Sequence, residues 1–210
     1  MSRTLEPSKT FIMHLQLLLI LVTAAYKANA LLRFACSQLV VERFDPLVTP
    51  GMVSPHLHQI VGGDAFDIGM HADNDLPTMS TCTTCTYSED FSNYWTAVLY
   101  FKHQNGTFQR VPQRPGELLG AANGGMTLYY MQPTNGGKVT SFKKGFRMII
   151  GDPMLRTFNS SSGDANNLNF RCLSAGGGNG GTSGAPGTDT RNLPANACAG
   201  GIRSEIVFPS

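Results

Sequence analysis

The chain has 210 residues, enough for one domain or one domain and a tail, with an ordinary apolar share, few charged residues and abundant glycine. Sixteen Lys and Arg stand against fourteen Asp and Glu. Cleavage after Ala30 would remove Arg3, Lys9 and Lys27 along with Glu6, leaving a mature chain of balanced charge. No basic footprint is left to neutralise a phosphate backbone, which sets nucleic-acid binding aside.

Residues 1–30 have the three parts of a secretory signal peptide. Arg3 and Lys9 supply positive charge, Leu15 to Ala25 is apolar, and Ala28-Asn29-Ala30 is a small-x-small cleavage pattern. A spanning helix needs roughly 20 apolar residues, and His14, Gln16 and Lys27 crowd this run from both ends. No later stretch is apolar enough to span a bilayer. The expectation is a secreted protein, extracellular or in a cell wall, with no membrane span after cleavage. Asn105-Gly106-Thr107 and Asn159-Ser160-Ser161 are glycosylation acceptors, expected on surface loops behind such a signal.

The elements follow in chain order. Arg33 to Phe44 is rich in Val, Leu and Phe without helical spacing and reads as a strand, ended by Asp45-Pro46 and a turn at Thr49-Pro50-Gly51. Ser54 to Val61 leads to the breaker Gly62-Gly63, and Asp64 to Ser88 reads as loop with a short helical turn. Trp95 to Lys102 is the clearest strand pattern, Asn105-Gly106 a hairpin turn and Thr107 to Val111 the return strand. Met126 to Met131, Phe146 to Ile150, Asn169 to Leu173 and Ile202 to Phe208 are further strands. Residues 159–187, rich in Ser, Gly and Asn, read as a flexible loop. No long amphipathic helical period occurs after residue 30. The expected fold is mainly β: antiparallel, sandwich-like sheets with long Gly/Pro-rich loops and disulfides.

Five cysteines, Cys36, Cys82, Cys85, Cys172 and Cys198, should mostly pair in an oxidising compartment. The odd count leaves a free thiol, an intermolecular bridge or a partner outside this chain. Cys82-Thr83-Thr84-Cys85 lacks the second ligand pair of a zinc site and the βαβ setting of a redox motif, so a structural disulfide role is the better reading. A Cys172–Cys198 bridge would close the glycine-dominated segment between them. Which cysteines pair is left open.

Three groups could carry chemistry. His56 and His58, two apart on a strand, would share a face and could hold a divalent metal or act as base and partner. A third ligand would have to come from His71, His103, an aspartate or later residues. The alternative is a hydrogen-bonded structural pair. The second group is Asp90, Asn93, Tyr94 and Trp95, where acid, amide, phenol and indole lie just before a strand. Aromatic faces beside carboxylates and amides suit a sugar, and Asp90 or a histidine is the candidate general acid or base. Trp95 alone reads better as core. The third is Arg147 among Phe146, Met148, Ile149 and Ile150; a buried guanidinium needs a partner, expected to be Asp90 or Asp152, unless it binds an anion.

Cys36 to Val48, Pro55-His56-Leu57-His58-Gln59-Ile60-Val61-Gly62-Gly63, Cys82-Thr83-Thr84-Cys85 and Glu89-Asp90-Phe91-Ser92-Asn93-Tyr94-Trp95 together closely resemble the DUF1996 family of secreted, mainly fungal proteins with no assigned function. Gly145 to Pro153, Phe170-Arg171-Cys172 and Gly201-Ile202-Arg203 also fit its pattern, so the resemblance runs from about Leu31 to Ser210. Some members carry carbohydrate-associated WSC modules after this domain. The family pattern continues past Phe208-Pro209-Ser210 into a Cys-Trp segment and further histidines and cysteines. The resemblance therefore implies a missing C-terminal part, matching the odd cysteine. The expected function is engagement of extracellular or cell-wall polysaccharide, with a carbohydrate-active enzyme using the His/Asp group as its catalytic form. The competing expectation is a non-catalytic structural or interaction protein.

Overall fold

The computed structural model describes residues 31–113, 124–133, 137–176 and 186–208. The signal peptide expected over residues 1–30 lies outside the described residues, as does the 177–185 part of the glycine-rich segment. Nine strands and one helical turn follow in order: β1 (Leu32–Glu42), β2 (His58–Gly62), α1 (Leu76–Met79), β3 (Asn93–Ala97), β4 (Tyr100–Lys102), β5 (Phe108–Arg110), β6 (Gly125–Tyr130), β7 (Leu168–Leu173), β8 (Gly187–Thr190) and β9 (Ile202–Ile206). Every pairing is antiparallel, in sheets ordered β3-β2-β1-β6, β4-β5 and β8-β7-β9. The mainly β, antiparallel, disulfide-bearing fold expected from the sequence is the one formed. No helix among the described residues is long and apolar enough to cross a membrane.

The core lies on the four-stranded sheet. β1 shifts register between Gln38 and Val40, and the shift divides its work. Residues 32–37 pair with β6 and residues 38–42 with β2. On one face Phe34, Cys36, Val61 and Cys85 are buried, with Tyr94, Met126, Leu128 and Tyr130 packed round them. On the other face Ile60 pairs with Trp95. β2 is buried along its whole length, and Ile60 and Val61 have no exposed surface. Each such side chain contributes roughly 1.5–3 kcal/mol by leaving water.

β2 stops at Gly62, but its lane does not. Beside the first half of β1 the place is taken by residues 83–86: Cys36 bridges to Cys85, Gly63 to Thr83, and the Ser37 and Thr86 amides donate to the Thr84 and Ala35 carbonyls. A Cys36–Cys85 disulfide, whose pairing the sequence left open, fastens this segment, and the Cys172–Cys198 bridge suggested by the glycine-dominated segment is formed. Cys82 is the correction among the five disulfide candidates: its thiol is free and exposed. Asp64 holds it there, accepting from the Thr81 hydroxyl and the Thr81 and Cys82 amides while its own amide donates to the Cys82 carbonyl.

Three other expectations change. The Trp95–Lys102 run breaks into β3 and β4 because its partner runs out. Val98 still donates to the Leu57 carbonyl, but Pro55 lies just upstream of Leu57 and has no amide, so the chain turns to pair with its own hairpin. Phe146 to Ile150 is not a strand. Gly145 lies against the Ala72 carbonyl and Arg147 donates to the Met70 carbonyl, which seats this stretch on the 70–72 loop instead of a sheet edge. The flexible loop read over 159–187 is interrupted by β7, the strand expected at Asn169 to Leu173.

Candidate functional site

His56 and His58 do not share a strand face. β2 begins at His58, and His56 precedes it, its amide held by the Ser54 hydroxyl. The two rings meet edge-on with centroids 6.2 Å apart. His58 is buried and its Nδ1 lies 2.9 Å from the Phe44 carbonyl oxygen, an acceptor, so Nδ1 carries the proton. Its Nε2 faces Asp45 Oδ2 at 3.9 Å. Asp45 in turn accepts from the Leu47 and Val48 amides, and Arg43 Nε donates to the Ser54 carbonyl. His58 thus closes the 43–58 loop. Among the described residues no group of three His, Cys, Asp or Glu side chains could hold a metal ion.

The Asp90 group divides between the two faces of β3. Tyr94 pairs with Val61 and joins the aromatic core, whereas Trp95, on the opposite face, packs 5.8 Å from Phe66. Asn93 shares the Trp95 side; its Nδ2 donates to the Gly63 carbonyl at 2.7 Å and its buried Oδ1 has no protein partner. Asp90 stays with Tyr94. Its Oδ1 accepts from the Ser92 amide at 3.0 Å and its Oδ2 from the Tyr94 hydroxyl at 2.8 Å. Tyr94 also meets the Tyr130 hydroxyl. With its own proton on Asp90, Tyr94 accepts there, so a relay runs from Tyr130 through Tyr94 to Asp90. Burial, then the bond to Tyr130 and the nearby Asp90 charge, push the Tyr94 phenol well above the tyrosine range. Burial chiefly raises Tyr130 as well.

Asp90 and the histidines are therefore separate. His58 lies opposite Ala97 at one end of β3, and Tyr94 lies near the other end on the other face. Arg147 is exposed and bonded to the Met70 carbonyl, so the ion pair expected with Asp90 or Asp152 is replaced by a loop contact. Asn105 and Asn159 are both exposed.

The relay does not stand alone. Tyr130 stacks on Phe34 at 6.0 Å, and Phe34 also meets Tyr87 at 5.5 Å. Beyond Tyr130 lies Phe142 at 6.2 Å, and Phe142 lies parallel to Phe146 at 4.3 Å. Tyr87, Phe142 and Phe146 are 41%, 56% and 49% exposed. The result is a row of five rings, open at both ends, with the Tyr94–Asp90 pair on its middle ring. Sequence reasoning missed Tyr87, Phe34, Tyr130, Phe142 and Phe146. The alternation of β6 marks Tyr130 as inward-facing, but nothing local marks Phe142 or Phe146 as its neighbours.

A shallow polar cavity lies on the β8-β7-β9 sheet, lined by Asn169, Asp189, Thr190 and Arg191, away from every candidate named above. Bonds from Asn169 and Arg171 hold Asp189 below the usual carboxylate range, leaving it committed to its own sheet.

No curated protein and no solved structure matches the chain. A family model described as a domain of unknown function, DUF1996, matches residues 45–210, a span that takes in His56, His58, Asp90, Tyr94 and every ring of the row except Phe34. The resemblance read from the motifs holds over most of the chain, and the protein belongs to the DUF1996 family.

Proposed function

We propose that this protein is secreted and engages extracellular or cell-wall polysaccharide through the ring row, with Asp90, Tyr94 and Tyr130 as its polar partners. The observation that carries the reading is the row itself. Its ends, Tyr87 and the Phe142–Phe146 pair, present apolar ring surface to water. Such surface suits the apolar faces of successive pyranose units along one chain. Asp90 uses one bond on each oxygen, and a carboxylate offers about four lone-pair sites, which leaves capacity for sugar hydroxyls.

The reading is engagement without cleavage. A two-group acid–base reaction drawn from the sequence candidates needs Asp90 near a histidine, and His58 lies on the far face, bonded to Phe44. The experiment is retention of the purified protein on insoluble β-glucan, chitin and mannan, with sugar release measured on the same material. Retention on at least one, weakened about tenfold in Phe142→Ala/Phe146→Ala and in Asp90→Asn, is expected, since a tenfold change matches the worth of one or two aromatic or polar contacts. Retention unchanged by these substitutions, or none on any polysaccharide, overturns the reading and leaves an interaction protein. Sugar release overturns the non-catalytic part.

A further inference from the structure

We infer that Asn105 carries an N-linked glycan whose first N-acetylglucosamine packs on the ring face formed by Phe101 and His103. The inference rests on the secretion proposed above, because the oligosaccharide donor is met only in the secretory lumen. Among the described residues β4 and β5 pair only with each other. Arg110 bonded to Gln38 Oε1 at 2.9 Å ties them to the main sheet. A two-stranded hairpin is marginal in water without a covered face, yet Phe101 and Phe108 are 59% and 64% exposed.

The turn is built around the acceptor. The His103 amide donates to the Thr107 carbonyl at 2.8 Å and the Gly106 amide to the His103 carbonyl at 3.0 Å. Gly106 has φ +84°, which makes a three-residue loop closed by a glycine in the left-handed region. Asn105 Oδ1 accepts from both the Thr107 amide, at 3.0 Å, and the Thr107 hydroxyl, at 2.7 Å. Both acceptor bonds fall on the oxygen, so the amide nitrogen Nδ2 stands free at the exposed tip. Asn159 lacks this arrangement: its Oδ1 takes the Ser161 amide and no hydroxyl bond.

Phe101 on β4 and His103 just past its end bring their rings edge-on at 4.8 Å. Gln109, opposite Phe101, fixes His103 Nε2 at 3.1 Å. This platform begins two residues before the acceptor. In the transfer, Nδ2 bonds to C1 of a lipid-diphosphate-linked oligosaccharide. The bond from C1 to the diphosphate oxygen breaks with its electron pair, and one amide proton is lost. The apolar face of the attached sugar then covers the Phe101 ring that the hairpin leaves bare.

The test uses the full chain secreted from a eukaryotic cell line. Enzymatic deglycosylation in heavy-oxygen water should convert Asn105 to labelled aspartate. In protein trimmed to a single sugar, the ring protons of that sugar should move upfield under the aromatic currents and return to free-sugar positions in Phe101→Ala. Exchange protection of the hairpin amides should fall about two- to tenfold on removing the sugar, the worth of one aromatic contact. Bare Asn105 in protein recovered from the medium overturns the inference and leaves secretion standing. An occupied Asn105 with unshifted sugar protons overturns the packing. Protein retained in the cytosol, bare at both acceptors, overturns the secretion reading and this inference with it.

Discussion

Gly62 shows how little freedom single positions on the central sheet have. Its φ is +108°, and a Cβ there would fall 1.9 Å from the Ser92 carbonyl oxygen where β2 passes β3. A side chain meets both a backbone conformation foreign to it and a backbone it cannot displace. Gly62→Ala should cost about 3 kcal/mol or more. Gly51→Ala, at φ +72° with nothing within 4 Å, should cost about 1–2 kcal/mol. Urea unfolding of the two variants checks the order, and equal costs would contradict the packing of β2 on β3. Asp64 fixes another point. Bonds from the Thr81 side chain first, then from the Cys82 and Thr81 amides, lower its carboxyl from 3.8 to about 2. A lowered folded pKa means that its contribution is present above about pH 4 and is lost as pH falls towards 2. The Thr81 and Cys82 amides should gain exchange with solvent across that window, and Asp64→Asn should show the gain already at neutral pH. Tyr94 carries the opposite sign: its phenol is raised, so its contribution is intact below about pH 10 and is lost at higher pH. Ultraviolet titration should find the Tyr94 phenol ionising only as the fold opens.

The two disulfides act at the scale of elements. They join residues 49 and 26 apart. Chain entropy alone then makes loss of Cys36–Cys85 worth about 4 kcal/mol and loss of Cys172–Cys198 about 3.5 kcal/mol. The first also sits inside the core cluster, so replacing both its cysteines by serine buries hydroxyls where sulfur packed. Denaturant unfolding of the two paired-serine variants should show the Cys36/Cys85 pair as clearly the more damaging. At this scale the sequence was legible where pairing is local or patterned. β1, β6, the β4–β5 hairpin and β9 follow from β-branched and aromatic runs bounded by turn residues. It was not legible where the partner decides: an apolar run does not show that its neighbour ends at Pro55, or that Phe146 meets Phe142 instead of a strand. The site divides in the same way. The contact of Asp90 with Tyr94 is local, four residues apart, and was within reach. The arrival of Tyr130 from thirty-six residues away, and the splitting of Tyr94 from Trp95 by strand alternation, depend on tertiary register.

For the molecule as a whole, four of the five cysteines are bridged and Cys82 remains as an exposed thiol. A thiol-reactive dye should therefore label one site per chain without denaturant, and the same number after unfolding under non-reducing conditions. A chain with no reactive thiol would show Cys82 bridged to another molecule.

The lane beside the first half of β1 is filled by a borrowed segment, residues 83–86, which no strand of its own holds in place. The Cys36–Cys85 bond is its fastening. Reduction would leave the segment on its hydrogen bonds alone, and wherever those open, the Ser37 amide and Ala35 carbonyl become a strand edge. The bond between Cys36 and Cys85 therefore guards a sheet edge against strand addition as well as closing a loop of the chain.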